Sequence, residues 1–157
     1  MDDEANLDKA VRVVVDSKTH YPAACNAMET LLVHRSRASE VLPKVSAALP
    51  ETTKFHADEA SLEFLPSAQA VQAKDEDWQT EWLAVECNVK VVDDIAEAID
   101  HVNKYGSCHT DAIVTESPGA ADAWVQGVDS AGVYVNCSTR FADGFRYGFG
   151  AEVAESG

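Results

Sequence analysis

One cysteine stands out as a candidate nucleophile. Cys25 follows Pro22 and precedes the run Leu31, Leu32 and Val33, which is typical of a buried strand. The spacing predicts a short helical segment that begins at this cysteine, so that the unpaired N–H groups of the first turn stabilise a thiolate. The thiolate is the nucleophilic form of cysteine. The alternative, from this stretch alone, is that Cys25 is a small buried apolar residue.

The composition predicts a single acidic globular domain over residues 1–157. Asp and Glu number 27 against 12 Lys and Arg, which gives a formal net charge of −15. Such a surface repels phosphate backbones and anionic headgroups, so we expect no nucleic-acid and no membrane partner. The four cysteines contain no C-x-x-C pair, and neither a disulfide framework nor a metal site is indicated.

The elements that must position the cysteine alternate between strand and helix. The patterns predict strands at 31–33, 54–56, 83–92, 112–115 and 132–136, and helices at 7–15, 41–49, 95–102 and 118–128. The interval 57–77 is interpreted as one or two short helices joined by loops. This order predicts an α/β fold with an open, mainly parallel sheet and helices on both faces. Residues 136–140 follow the last strand, at the sheet edge where functional loops collect.

Three longer stretches carry a resemblance to a known family. They are PAACNAMETLLVH at 22–34, YGSCHTDAIVTE at 105–116 and NCSTRFADG at 136–144. Together, and in this order, they closely resemble γ-glutamyl phosphate reductase, which also forms the C-terminal part of the bifunctional pyrroline-5-carboxylate synthase. Both belong to the aldehyde dehydrogenase superfamily, and the resemblance runs from about residue 7 to residue 153. It implies a fold like the catalytic domain of aldehyde dehydrogenases.

The resemblance implies a reaction and a set of site residues. The reaction is the NADPH-dependent reduction of γ-glutamyl 5-phosphate to glutamate 5-semialdehyde in proline biosynthesis. Cys25 falls on the catalytic cysteine, which would form a thioacyl intermediate. Glu81 matches a glutamate that binds the cofactor ribose, with a solvated surface glutamate as the alternative. Asn26, Asn136 and Arg140 match substrate-binding positions, and an internal salt bridge is the alternative for Arg140.

The resemblance also implies what lies outside this chain. The family's cofactor-binding domain and its oligomerisation hairpin have no counterpart in residues 1–157, so we expect the isolated domain to be inactive. The parent enzyme is expected to be a cytoplasmic homo-oligomer, or a mitochondrial one if it is a eukaryotic bifunctional synthase. Two other classes remain open: a non-catalytic or redesigned scaffold domain derived from the enzyme, and a cysteine hydrolase.

Overall fold

A computed structural model describes residues 1–151 of the chain. The strands are β1 (Thr30–His34), β2 (Lys54–Ala57), β3 (Ala70–Gln72), β4 (Glu86–Val92), β5 (Thr110–Ile113) and β6 (Gly132–Val135). The helices are α1 (Leu7–Thr19), α2 (Ala38–Ala48), α3 (Glu59–Leu62), α4 (Ile95–Tyr105), α5 (Pro118–Gly127) and α6 (Gly144–Tyr147). Within the described range, none of the helices has the length and apolar character needed to cross a bilayer.

The strands form a parallel arrangement in two pieces. Four of them lie in the order β3-β2-β4-β1, and β5 and β6 form a separate pair. Each pairing is parallel, with Leu31 opposite Val89 in the first piece and Ala112 opposite Tyr134 in the second. The predicted α/β class with a parallel sheet is therefore confirmed.

Each piece of sheet has its own apolar core. The larger core packs α1 and α2 against the four strands, through residues such as Val14, Val41, Val45, Val33 and Phe55. The smaller core packs α4 and α5 against β5 and β6, through Ile113, Trp124, Val128, Ile95 and Ile99. Between these two cores lies the cleft that contains the candidate site.

Short polar side chains set the starts of the main helices. The side chain of Asn6 accepts a hydrogen bond from the N–H of Lys9 at the start of α1. Asp94 caps α4 and Ser117 caps α5, where Pro118 occupies the first turn. These side chains satisfy N–H groups that have no partner inside the helix. The helix starts predicted after residues 94 and 117 are confirmed.

Several boundaries differ from the sequence prediction. Helix α1 continues to Thr19, and Pro43 lies inside α2 rather than near its start. Strand β4 begins at Glu86, because Leu83 has a left-handed backbone (φ 52°) that cannot continue a strand. Strand β3 was not predicted: it has only three residues, too few for alternation to be recognised.

Candidate active site

Cys25 lies on a tight turn between α1 and β1. The N–H of Ala24 donates to the carbonyl of Tyr21 at 3.1 Å, and the N–H of Ala27 donates to the carbonyl of Ala24 at 2.9 Å. Two successive turns, the first with Pro22 at its second position, replace the predicted helix. That prediction is wrong, and a helix dipole does not act on this sulfur. The thiol is instead exposed to solvent at the tip of the second turn.

A buried ion pair holds the two ends of the Cys25 loop together. Lys18, in the last turn of α1, has no exposed surface, and its Nζ donates to the carbonyl of Met28 at 2.8 Å and to Glu29 Oε2 at 3.1 Å. Burial raises the pKa of the Glu29 carboxyl, although Lys18 and two backbone N–H groups act in the opposite direction. The loop that carries Cys25 is thus fixed at both ends.

Asn26 and Arg140 hold the loop from a second side. Both side chains are buried; an Arg140 Nη donates to Asn26 Oδ1, and Asn26 Nδ2 donates to the carbonyl of Ala142 at 2.5 Å. Arg140 Nε also donates to His20 Nδ1 at 3.4 Å, and its other Nη lies 3.7 Å from Asp143. The internal salt bridge that was the alternative for Arg140 therefore exists, and this arginine contacts the residue next to Cys25.

The segment after β6 is also anchored to the end of α1. Ser17 Oγ donates to Ser138 Oγ at 3.1 Å and accepts a hydrogen bond from the N–H of Thr139 at 3.2 Å. These bonds join the segment that follows the carboxyl end of β6 to the end of α1, just before the Cys25 loop. Cys25 consequently lies in the loop before the amino end of β1, and Arg140, which follows the carboxyl end of β6, contacts the neighbouring Asn26.

Asn136 lies apart from this network. Its side chain accepts from the N–H of Thr115 at 3.0 Å and donates to the carbonyl of the same residue at 2.8 Å. Its backbone is left-handed, with φ 59°. Asn136 therefore joins the ends of β5 and β6, and its substrate-binding role stays a prediction.

Glu81 lines the same cleft as Cys25. The cleft has a volume of about 470 Å³, and the Glu81 side chain is exposed on it. The next residue, Trp82, stacks on His56 with ring centroids 3.7 Å apart, and its N–H donates to Glu29 Oε2 at 3.3 Å. His56 is itself placed between Asp77 and Glu86, at 3.5 and 3.3 Å. These contacts fix the backbone from which Glu81 extends.

The other three cysteines lie in different environments. Cys87 is fully buried in β4, and burial raises the pKa of its thiol to about 12. Burial also raises the pKa of the Cys137 thiol. Cys108 is exposed but has a left-handed backbone (φ 57°) at the turn before β5. Among the described cysteines, Cys25 and Cys108 are exposed and Cys137 is half-buried, and only Cys25 lines the cleft.

Comparison with solved structures defines the class of protein. Lactaldehyde dehydrogenase superposes with a TM-score of 0.69 at 15% identity, over 87% of this chain and 38% of that one. An identity this low shows the fold alone. The architecture is that of aldehyde dehydrogenase-like catalytic domains. No family model matches the chain.

Sequence comparison finds clear similarity to one named enzyme. The chain is 54% identical to γ-glutamyl phosphate reductase of Trichormus variabilis and 56% identical to that of Synechococcus sp. strain WH7803, over 99% of its length. The solved structure of the Thermotoga maritima reductase is 42% identical, with a TM-score of 0.92, and is matched over 37% of its length. The expected resemblance to γ-glutamyl phosphate reductase is confirmed. The chain spans about a third of the length of these curated relatives: 36% and 35% in the first two.

Sequence reasoning missed the residues that support the thiol loop. The apolar stripe of α1 (Leu7, Val11, Val14) places Lys18 one step further on the same buried face. A lysine at such a position requires a buried counter-charge, and Glu29 is that partner. This signal was present in the sequence, whereas the contacts of Ser17 and His20 depend on long-range packing that periodicity does not reveal.

Proposed function

We propose that this chain forms the thiol-bearing part of a γ-glutamyl phosphate reductase, with Cys25 as the nucleophile. The observation that supports this most strongly is the exposure of Cys25 on the cleft that Glu81 also lines. The similarity to reductases over 99% of the chain supplies the substrate class. The proposal includes NADPH as reductant, proline biosynthesis as the pathway and the cytoplasm as the location.

The first chemical step uses the chain's own residues. The Cys25 thiolate attacks the acyl carbon of γ-glutamyl phosphate, the bond between that carbon and the phosphate oxygen breaks, and inorganic phosphate leaves with the electron pair. A thioester on Cys25 results. The backbone N–H of Cys25 belongs to the residue that carries the attacking sulfur, and it would donate to the oxyanion that forms during attack. The tight turn constrains the backbone that carries this N–H.

The residues of the cleft fit a nicotinamide cofactor. Glu81 places an exposed carboxylate on the cleft wall, the type of acceptor that ribose hydroxyls require. Trp82 stacks on His56 and donates to Glu29, and these contacts hold the adjacent backbone of Glu81 in place. When bound, NADPH would supply the hydride that brings the acyl group to the aldehyde level.

Asn26 and Arg140 act first of all as positioning residues. Each of them bonds to the other, and neither has more than a small exposed fraction. Arg140 also donates a hydrogen bond to His20 Nδ1 at the start of the same loop, so this ring nitrogen already has a partner. We assign direct contact with the substrate carboxylate or phosphate to Arg140 as a second role, because a guanidinium has five N–H donors and can serve several acceptors.

The proposal is tested with acetyl phosphate as a small acyl phosphate and the 157-residue protein alone. We expect release of about one phosphate per chain without nucleotide, since the thioester would stay on the protein. Cys25→Ser should abolish this release, while Cys108→Ser, which removes the other exposed thiol, should leave it unchanged. Release that survives in Cys25→Ser would contradict the proposal. Continuous turnover that requires Cys25 but no NADPH would favour a hydrolase instead.

A further inference from the structure

The segment that carries Glu81 depends on its neighbours for a fixed position. Residues 80–85, all of them described, form neither a helix nor a strand; they lie between a short 3₁₀-helix (Asp75–Gln79) and the start of β4. A stretch without regular secondary structure is held by side-chain contacts with the elements around it. Several of those contacts converge on His56.

His56 lies on the face of the sheet that is turned away from the larger core. Its neighbours in β2, Phe55 and Ala57, are fully buried in that core, and alternate residues of a strand point to opposite faces. The His56 ring stacks on the Trp82 ring, with centroids 3.7 Å apart and an angle of 16° between the planes. Trp82 directly follows Glu81. The histidine thus reaches from the sheet to the residue beside the carboxylate.

The same ring lies between two carboxylates from different elements. His56 Nδ1 is 3.5 Å from Oδ2 of Asp77 in the 3₁₀-helix, and Nε2 is 3.3 Å from Oε2 of Glu86 in β4. A carboxylate accepts hydrogen bonds and donates none. Only the imidazolium form carries an N–H on both nitrogens, so only this form can donate on both sides. The neutral ring turns a lone pair towards one of the carboxylates.

The other groups around the ring leave both carboxylates available to it. Lys54 Nζ donates to Glu86 Oε1 at 3.0 Å, and Lys54 and His56 hold the pKa of the Glu86 carboxyl below its ordinary value, against the effect of burial. The residue of β3 opposite His56 is the uncharged Val71. The ring therefore faces two acids, Asp77 and Glu86, and the nearby cation is already paired with the second of them.

Trp82 connects this histidine to the loop of the candidate nucleophile. The backbone N–H of Trp82 donates to Glu29 Oε2 at 3.3 Å. The same oxygen accepts from Lys18 Nζ at 3.1 Å, at the base of the Cys25 loop. The contacts of His56 thus extend through one indole and one carboxylate to the thiol loop.

We propose that His56 in its imidazolium form is a positioning residue for Glu81, and that loss of the ring proton to solvent releases residues 80–85 from the sheet. The hydrogen bond between the ring and one carboxylate is lost with the proton. The stack on Trp82 also loses the attraction of a cation for the indole face. Glu81 then loses its fixed position on the cleft wall. The relevance of this to nucleotide binding rests on the function proposed above for Glu81, whereas the positioning itself does not.

The test compares backbone amide order parameters from NMR relaxation at Glu81 and Leu83, below and above the titration midpoint of His56, which is read from its ring C–H signal. We expect about 0.85 below the midpoint and a fall towards about 0.6 above it. His56→Gln has no titrating ring at this position and should give the same order parameters at both pH values. His109→Gln, the matched control, removes a histidine outside this cluster and should keep the pH dependence. Neither nucleotide nor acyl phosphate is present, so the result does not depend on the reactivity of Cys25.

Three outcomes would overturn the proposal. The first is an unchanged order parameter at Glu81 across the His56 midpoint, which the unsubstituted protein decides even if His56→Gln does not fold. The second is a change at Glu81 that persists in His56→Gln. The third is an equal fall at Val41 of α2, since this would show a loosening of the whole domain rather than the release of one segment.

Discussion

Replacing Lys18 with methionine tests whether the buried ion pair holds the Cys25 loop. The substitution preserves the length and much of the apolar volume of the side chain while removing its charge. It leaves the Glu29 carboxylate without its cation and the carbonyl of Met28 without its donor. The perturbation therefore acts on both ends of the loop at once.

The size of the effect follows from the burial of the two partners. Breaking a fully buried pair by removing one partner costs about 3–5 kcal/mol. The Lys18 side chain is fully buried, but that of Glu29 keeps 22% exposure and a bond from the N–H of Trp82. We therefore expect the lower end, a loss of about 3 kcal/mol in the free energy of unfolding. For a chain of this size this corresponds to a fall in Tm of roughly 6–12 °C.

Urea unfolding and thermal melts of Lys18→Met provide the measurement, with Lys44→Met as the control because Lys44 is exposed on α2. The double variant Lys18→Met/Glu29→Gln should recover about 1–2 kcal/mol of the loss, since the uncompensated carboxylate is then absent. A stability of Lys18→Met within about 0.5 kcal/mol of the parent and of Lys44→Met would refute the reasoning.

Three further predictions concern other parts of the site. Burial lowers the pKa of His101 to about 4, so folding favours its neutral form; stability should be complete above pH 6.5 and be lost as pH falls through the interval from 6.5 to 4. After allowance for solvent screening, His101→Phe should remove roughly 1–2 kcal/mol of the stability difference between pH 7 and pH 5 in urea unfolding, and an unchanged difference would contradict this. Arg140→Lys should slow the reaction of Cys25 with both iodoacetamide and acetyl phosphate by about tenfold, because the guanidinium that holds Asn26 is lost. If only the reaction with acetyl phosphate became slower, Arg140 would bind the substrate without positioning the loop. Asn136→Ala should lower the free energy of unfolding by about 2–3 kcal/mol. The loss for Asn136→Gly should be smaller than that for Asn136→Ala by about 1 kcal/mol, because glycine tolerates φ 59°. Equal losses in the two variants would contradict a contribution from backbone strain.

The sequence allowed the elements of the fold to be predicted where local signals act alone. The helix starts at Ile95 and Pro118 and the valine-rich pattern of β4 depend on neighbouring residues, and all three were predicted. The prediction of a helix at Cys25 was wrong, because Pro22 and Asn26 favour turns. Hydrogen bonds from Arg140 and Lys18 then hold the loop in the turn conformation.

The candidate site could be predicted only in its chemistry. The family resemblance identified Cys25 and Glu81, and the structure places both on one cleft. The sequence could not show that Arg140 is hydrogen-bonded to Asn26, since the two residues are far apart in sequence and meet only through the fold. Nor could periodicity show that the strands form two separate pieces, which depends on the order of the strands.

The location of the acyl group after incubation with acetyl phosphate tests the central claim most directly. Peptide mapping by mass spectrometry should find one acetyl group, on the peptide that contains Cys25, and hydroxylamine should remove it because the bond is a thioester. Cys25→Ser should carry no such group, and Cys108→Ser should carry it unchanged. An acetyl group on Cys108 or on lysine side chains, with Cys25 unmodified, would contradict the assignment of Cys25 as the nucleophile.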